Sequence, residues 1–216
     1  SIKSYLGGLP SLLNASGSNT NLVYEVLGID DDVANEVGSI KGVKNKIKFI
    51  NENGGTLVFE EMEVPTMEYN LCLIDTEFPE LLSKMVLQYY SSKISKLSDC
   101  LEVLNKDGKL PIDAKNDMAS HQIRVKRFLI SVLLGMFSGR KWDGQYKANG
   151  GIVVKKDGSQ LAYHVTKRSD LEDYLFEHVK FDTPSTTRHR FGELRTEEGK
   201  RLFKLNMLIR FEREKR

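Results

Sequence analysis

The sequence predicts a mixed fold of the α/β class, α+β in character, formed by one domain over residues 1–216, and three observations carry that prediction. Strand-like and helix-like segments follow one another with no repeat, low-complexity tract or Pro/Ser-rich linker between them. With 40% hydrophobic and 29% charged residues, the composition is that of an ordinary globular protein. A chain of this length buries roughly 70% of the surface that its unfolded form exposes, so a core needs neither disulfides nor a structural metal.

Residues 20–27 (Thr-Asn-Leu-Val-Tyr-Glu-Val-Leu) read as a strand closed by Gly28. Asp30 to Asp32 supply a cap, and helical spacing over 33–53, broken at Gly38 and Gly42, predicts two short helices ended by Gly54-Gly55. Residues 56–59 and 69–74 read as short apolar strands, with a helix as the alternative for the second because brief apolar runs are ambiguous. From Pro79 to Lys96 apolar residues recur at 81, 82, 85, 86, 89 and 90, the stripe of a buried amphipathic helix. After a loop over 105–117, residues 118–137 predict a long helix with Ile123, Phe128 and Leu133 inward and Arg124, Lys126 and Arg127 outward. Residues 135–150 are irregular, and 152–154 and 161–165 form a hairpin across Lys155-Lys156-Asp157-Gly158. Ser169-Asp170-Leu171-Glu172 has the form of a capping box for a helix over 170–178. Phe203, Leu205, Met207, Ile209 and Phe211 alternate with their neighbours, which predicts one long strand with one covered face.

Several function classes drop out. The longest apolar stretches, such as 128–134, are far shorter than the roughly 20 residues of a membrane-spanning helix, so no membrane association is expected. Cys72 and Cys100 lie in or beside apolar runs and read as reduced thiols, which points to the cytoplasm. His121, His164, His178 and His189 are scattered, without the spacings that hold zinc. Neither Gly7-Gly8 nor Gly150-Gly151 matches a phosphate-cradling fingerprint, and no nucleophile elbow is present.

Charge is distributed unevenly. Residues 1–119 carry −7 and residues 120–216 carry +9, within a formal total of +2. A basic half favours a polyanionic partner, while the same cations also serve simply to solvate helix faces. In that half, residues 183–190 (Thr-Pro-Ser-Thr-Thr-Arg-His-Arg) crowd hydroxyls, two guanidiniums and an imidazole into one loop. Such a loop donates to phosphates and can grip a guanine edge, or else it is a solvated turn bonded to itself. Near the start, Lys3 shares a strand face with Ser1. A lysine there suits water activation beside a carboxylate-held cation, as in metal-dependent nucleases, or is an ordinary edge lysine.

Seven short pieces, in order along the chain, resemble one family. They are Ser1-Ile2-Lys3-Ser4-x-Leu6-Gly7 with Leu12-Leu13-Asn14-Ala15-Ser16 and Thr20-Asn21; Asn70-Leu71-x-Leu73-Ile74-Asp75; Gly150-Gly151-Ile152-Val153-Val154; Thr183-Pro184-Ser185-Thr186-x-Arg188-His189; and Leu205-Asn206-x-x-Ile209-Arg210-Phe211. In this order they resemble the HpaII-type type II restriction endonucleases, over nearly the whole chain. The resemblance implies the PD-(D/E)XK nuclease core, a mixed sheet flanked by helices, and Mg2+-dependent hydrolysis of both strands at a short duplex DNA site. By analogy with the family's namesake that site is CCGG.

Under the resemblance Lys3 becomes the catalytic lysine, and the Ile2 carbonyl and Asp75 become candidate metal ligands, with Glu25 a further carboxylate. Ser1 departs from the motif, since it offers no carboxylate. The chain also opens on what reads as strand interior, without Met, so the first part of the core and its acidic ligand are expected upstream of residue 1. Arg188 and His189 are the expected base readers, with Ser185 and Thr187 on phosphate or base edges and Asn14 and Ser16 beside them. Arg124, Lys126 and Arg127 are expected on the DNA backbone. The expected partners are duplex DNA, a cognate DNA methyltransferase and, for a twofold site, a second copy in a homodimer. Two other readings stand beside this one: a sequence-specific DNA-binding module without catalysis, and a protein-interaction domain whose acidic half docks a basic partner.

Overall fold

The computed structural model describes residues 2–4, 9–92, 94–113, 116–148, 150–154, 158, 160–164 and 168–212. Two short strands come first, β1 (Ile2–Ser4) and β2 (Ser11–Leu13), followed by a 3-10 turn at Gly17–Thr20 and then β3 (Asn21–Leu27). Helices α1 (Asp31–Ser39) and α2 (Val43–Glu52) follow as the glycine breaks predict, and the Asp30 carboxylate accepts from the Val33 amide at 2.9 Å. Strand β4 (Thr56–Met62) leads to α3 (Pro65–Cys72), α4 (Phe78–Ser91), α5 (Leu97–Lys106) and α6 (Met118–Leu134). Then come β5 (Gly150–Val154), β6 (Gln160–His164), α7 (Arg168–His178), β7 (Val179–Asp182), the short α8 (Thr186–His189), β8 (Leu194–Glu197), β9 (Lys200–Asn206) and β10 (Leu208–Phe211).

The mixed α/β class is the one expected, and among the described residues the strands form three sheets. One is antiparallel, β4-β3-β9-β8, with β3 at its centre and buried along nearly its whole length. A second antiparallel sheet runs β2-β10-β7, and the third, β1-β5-β6, joins a parallel pair to the hairpin. Helix α4 forms the middle of the helical layer, touching α2, α3, α5 and α6 as well as β4 and β9. Its buried Phe78, Leu81, Leu82, Met85, Val86 and Tyr90 are the stripe that the sequence spacing predicts. Phe78 meets Phe128 of α6 at a ring separation of 5.3 Å, locking these two helices together. No helix among the described residues is long and apolar enough to cross a membrane.

Five local expectations are corrected. Residues 69–72 belong to a helix: Pro65 pre-sets its first turn, and burial falls on Met67, Asn70 and Leu71 while Tyr69 and Leu73 are exposed, a spacing of three and four. Helix α5 is an added element, with Leu97, Cys100, Leu101 and Leu104 inward at the same spacing. Ser169 does not cap α7, because it lies inside the helix, and the Glu172 carboxylate accepts from Arg168 Nε at 2.7 Å instead. Ile123 is 47% exposed and so is no core contact of α6.

The fifth correction is the long C-terminal strand. It breaks at Met207 into β9 and β10, which belong to different sheets, and both parities of 205–209 are buried. A chain passing from one sheet into the next is covered on both sides at the crossing, so the period of two disappears there.

Truncating the ring that joins α4 to α6 leaves a cavity neither helix can fill without moving. Phe128→Ala is therefore expected to lower unfolding free energy by about 3–5 kcal/mol, read as a shifted urea midpoint at unchanged slope.

Candidate nucleic-acid interface

Two loops far apart in sequence meet where β9 ends. The Asn206 side chain is buried, and its Nδ2 donates to Asn21 Oδ1 at 2.6 Å, Thr20 Oγ1 at 3.0 Å and Gly17 O at 3.2 Å. The Met207 amide adds a bond to Thr20 O at 2.9 Å, and the Tyr90 hydroxyl donates to Asn206 O at 2.9 Å. Asn21 extends the network from the strand side, with its Nδ2 on Glu63 Oε2 at 2.7 Å and on His189 O at 3.0 Å. The Gly17 amide donates to His189 Nδ1 at 3.1 Å. The turn after Ser16 is thereby fixed against α8, and the segments at 14–20 and 183–190 become neighbours.

Around this joint the expected contact residues divide into inward and outward groups. His189 is 9% exposed and its Nδ1 accepts the Gly17 amide, so the ring positions the loop. Ser185 accepts the Arg188 amide at 3.3 Å and caps α8. Ser16 Oγ accepts from Asn19 Nδ2 at 3.2 Å. Arg188, Thr187 and Asn14 are exposed, as is Arg190, whose backbone at φ 53° turns the chain out of α8. Gly192 completes that turn at φ 80°, where a side-chain carbon would come within 2.6 Å of Val43 Cγ2. Among the described residues Arg188 and Arg190 thus have no carboxylate partner, and they are held on a loop that hydrogen bonds keep in place.

The α6 cations are mostly committed elsewhere. Arg124, expected to face outward, is largely covered, with Nε on Asp75 Oδ2 at 2.9 Å and NH2 on Glu77 Oε2 at 3.2 Å. Lys126 Nζ lies 2.6 Å from Asp173 Oδ1 and over the Phe176 ring. Arg127 is the exposed member of the three and has no ion pair among the described residues.

The candidate metal ligands do not gather. Asp75 spends one oxygen on Arg124 and the other on the Glu77 amide at 2.9 Å, so it does not fit a metal ligand. Glu25 faces Lys200, whose ammonium sits 3.5 Å from it and 3.0 Å from Glu60. Among the described residues no three His, Cys, Asp or Glu come together as a metal would require. Ile2 and Lys3 pair by backbone with Ile152 and Val153 of β5, while their side chains, and all of Ser1, lie outside the described residues. Neither thiol is a nucleophile in waiting, because burial pushes Cys100 up to about 12 and raises Cys72 as well.

Two outcomes follow from the joint. Removing the Asn206 carboxamide leaves three acceptors without their donor, so Asn206→Ala is expected to cost about 2–4 kcal/mol in chemical denaturation. His189 has a lowered pKa, from desolvation first and from the neighbouring Arg188 second, and its Nδ1 must be neutral to accept from Gly17. The stability it contributes is therefore fully present above the unfolded value of about 6.5 and is lost as pH falls through the lower folded value. The stability gap between the wild type and His189→Ala, measured from pH 8 downward, should close on acidification; a gap that widens would contradict the assignment.

The chain matches the HpaII restriction endonuclease family over residues 1–211. It is 42% identical over 212 residues, 98% of its length, to the "Type II restriction enzyme HpaII" of Haemophilus parainfluenzae, and it spans 59% of that enzyme's length. No solved structure matches it. With the family match running over residues 1–211 and 42% identity over 98% of its length, the chain belongs to the HpaII restriction endonuclease family.

Proposed function

We propose that this chain acts as a type II restriction endonuclease, hydrolysing phosphodiester bonds at a short site in duplex DNA. The observation that carries the reading is the likeness to the HpaII enzyme together with the joint at Asn206, which holds an arginine-bearing loop rigidly with Arg188 and Arg190 unpaired. A guanidinium free of carboxylates keeps all its N–H donors for a guanine edge or a phosphate. Arg188 is the base reader in this account, with Thr187 and Asn14 beside it, while Ser185, Ser16 and His189 set the shape of the loop. Arg127 contacts the DNA backbone. Arg124 and Lys126 would have to give up Asp75, Glu77 and Asp173 to do the same, so they stay with the fold.

The reaction centre is proposed on β1, where an ammonium at Lys3 would offset the charge that builds on the phosphate under attack. Mg2+ is the proposed cofactor and would supply the Lewis acid of such a hydrolysis, with the Ile2 carbonyl among its ligands. Asp75 is not among them. CCGG is the proposed site, and a palindrome of this kind suits a homodimer. A DNA methyltransferase that protects the same site in a cytoplasmic restriction-modification system completes the reading.

Incubation of the complete protein, with Lys3 intact, with a plasmid of varied sequence across a magnesium and manganese series tests it, and an uncut plasmid overturns the catalytic assignment. Lys3→Ala should abolish cutting and spare binding. Arg188→Ala should cost about 1–3 kcal/mol and relax selectivity, whereas Arg127→Ala should weaken every sequence alike and lower the salt slope by about one. Site-selective retention of duplex with no products at any metal concentration would leave a binding module in place of a nuclease.

A further inference from the structure

Residues 135–148 lack regular structure, yet the part from Phe137 to Trp142 is held firmly. Gly135 ends α6 at φ 146°, where an added side-chain carbon would meet Lys147 Cγ at 3.1 Å. Asn70, fully buried on α3, then clamps the segment three times. Its Nδ2 donates to Phe137 O at 3.0 Å and Arg140 O at 2.9 Å, and its Oδ1 accepts the Trp142 amide at 2.8 Å. The Trp142 ring is buried, and its Nε1 donates to Gln145 O at 2.9 Å.

From this clamp Phe137 stands 54% exposed while Met136, Ser138 and Trp142 are buried. The fixed backbone keeps more than half of this residue open to solvent, where its ring can meet a partner. The Arg140 guanidinium lies 4.6 Å over it, and Lys141 lies 5.0 Å over the exposed Tyr69. Stacking orients a guanidinium without consuming its N–H donors. Among the described residues neither cation has a carboxylate partner, and Asp143, the one described carboxylate lining the adjoining cleft of about 210 Å³, is held by Lys147 at 2.6 Å. The surface is therefore net positive around an apolar ring, which complements a phosphate-flanked groove better than an apolar protein face. Its position agrees: a side-chain carbon at Gly139 would lie 3.3 Å from Asn19 Nδ2, in the same turn that holds His189 through Gly17.

We infer that Phe137, Arg140 and Lys141 form a second contact with duplex DNA, Phe137 wedging against base edges in a groove while Arg140 and Lys141 bind phosphates. The inference rests on the proposed DNA-cleaving function and deepens it by adding a contact on the other side of the Gly17–Thr20 turn.

Fluorescence anisotropy of the 216-residue chain with a labelled CCGG duplex, over a series of salt concentrations, provides the test. Phe137→Ala should weaken binding about tenfold with little change in salt slope, and Phe137→Leu should recover most of it, since aliphatic wedges also serve. The Arg140→Ala/Lys141→Ala double variant should flatten the slope by about two. Should Phe137→Ala lower the melting temperature, the slope of the double variant decides, because both of its side chains are exposed. Wild-type binding with unchanged affinity and slope in these variants overturns the second contact and leaves the proposed function standing. A wild-type chain that does not bind duplex DNA overturns both.

Discussion

Two N–H hydrogens of a buried carboxamide serve three acceptors at the point where β9 gives way to β10, and much of the molecule is arranged around that sharing. Asn206 donates into the Gly17–Asn21 segment, Tyr90 reaches its carbonyl from α4, and Asn21 passes the network on to Glu63 and His189. In a dry environment such bonds are strong, and the groups that make them are costly to leave unpaired. The consequence is geometric. A turn near one end of the chain and a loop near the other are fixed in one relative position, and the C-terminal strand is diverted from the β3 sheet to the β2-β10-β7 sheet.

The opposed charges of the two halves find much of their use inside the molecule. Arg201 reaches Asp31 at 2.6 Å, Lys204 reaches Glu63 at 2.9 Å, and Lys200 lies between Glu25 and Glu60. Arg124 joins Asp75 and Glu77 in the same way. Exposed pairs of this kind stabilise by about 0–1 kcal/mol each, so their main effect is to decide which cations remain free for a polyanion. Among the described residues those that remain include Arg127, Arg140, Lys141, Arg188 and Arg190.

Rigid presentation recurs. Asn70 fixes the backbone under Phe137 and Arg140 as the Asn206 network fixes the backbone under Arg188. In each case a buried amide side chain bonds to main-chain groups of a loop and leaves the loop's outward side chains free. Supporting a contact surface from below lowers the ordering cost of binding, since the loop is already in place when a partner arrives.

The sequence by itself determined whatever depends on near neighbours. Strand β3, the α1–α2 break, the Asp30 cap, the stripe of α4 and the hairpin of β5 and β6 were legible, because turn chemistry and periodicity act within a few residues. The family was legible too, from short motifs in order. Tertiary structure decided the helical state of 69–72, the break at Met207, the inward turn of His189, and the capture of Arg124 and Asp75 by each other. The break at Met207, the inward turn of His189 and the capture of Arg124 are settled by partners remote in sequence, such as Asn206 meeting Gly17, and local spacing holds no record of which distant group will arrive.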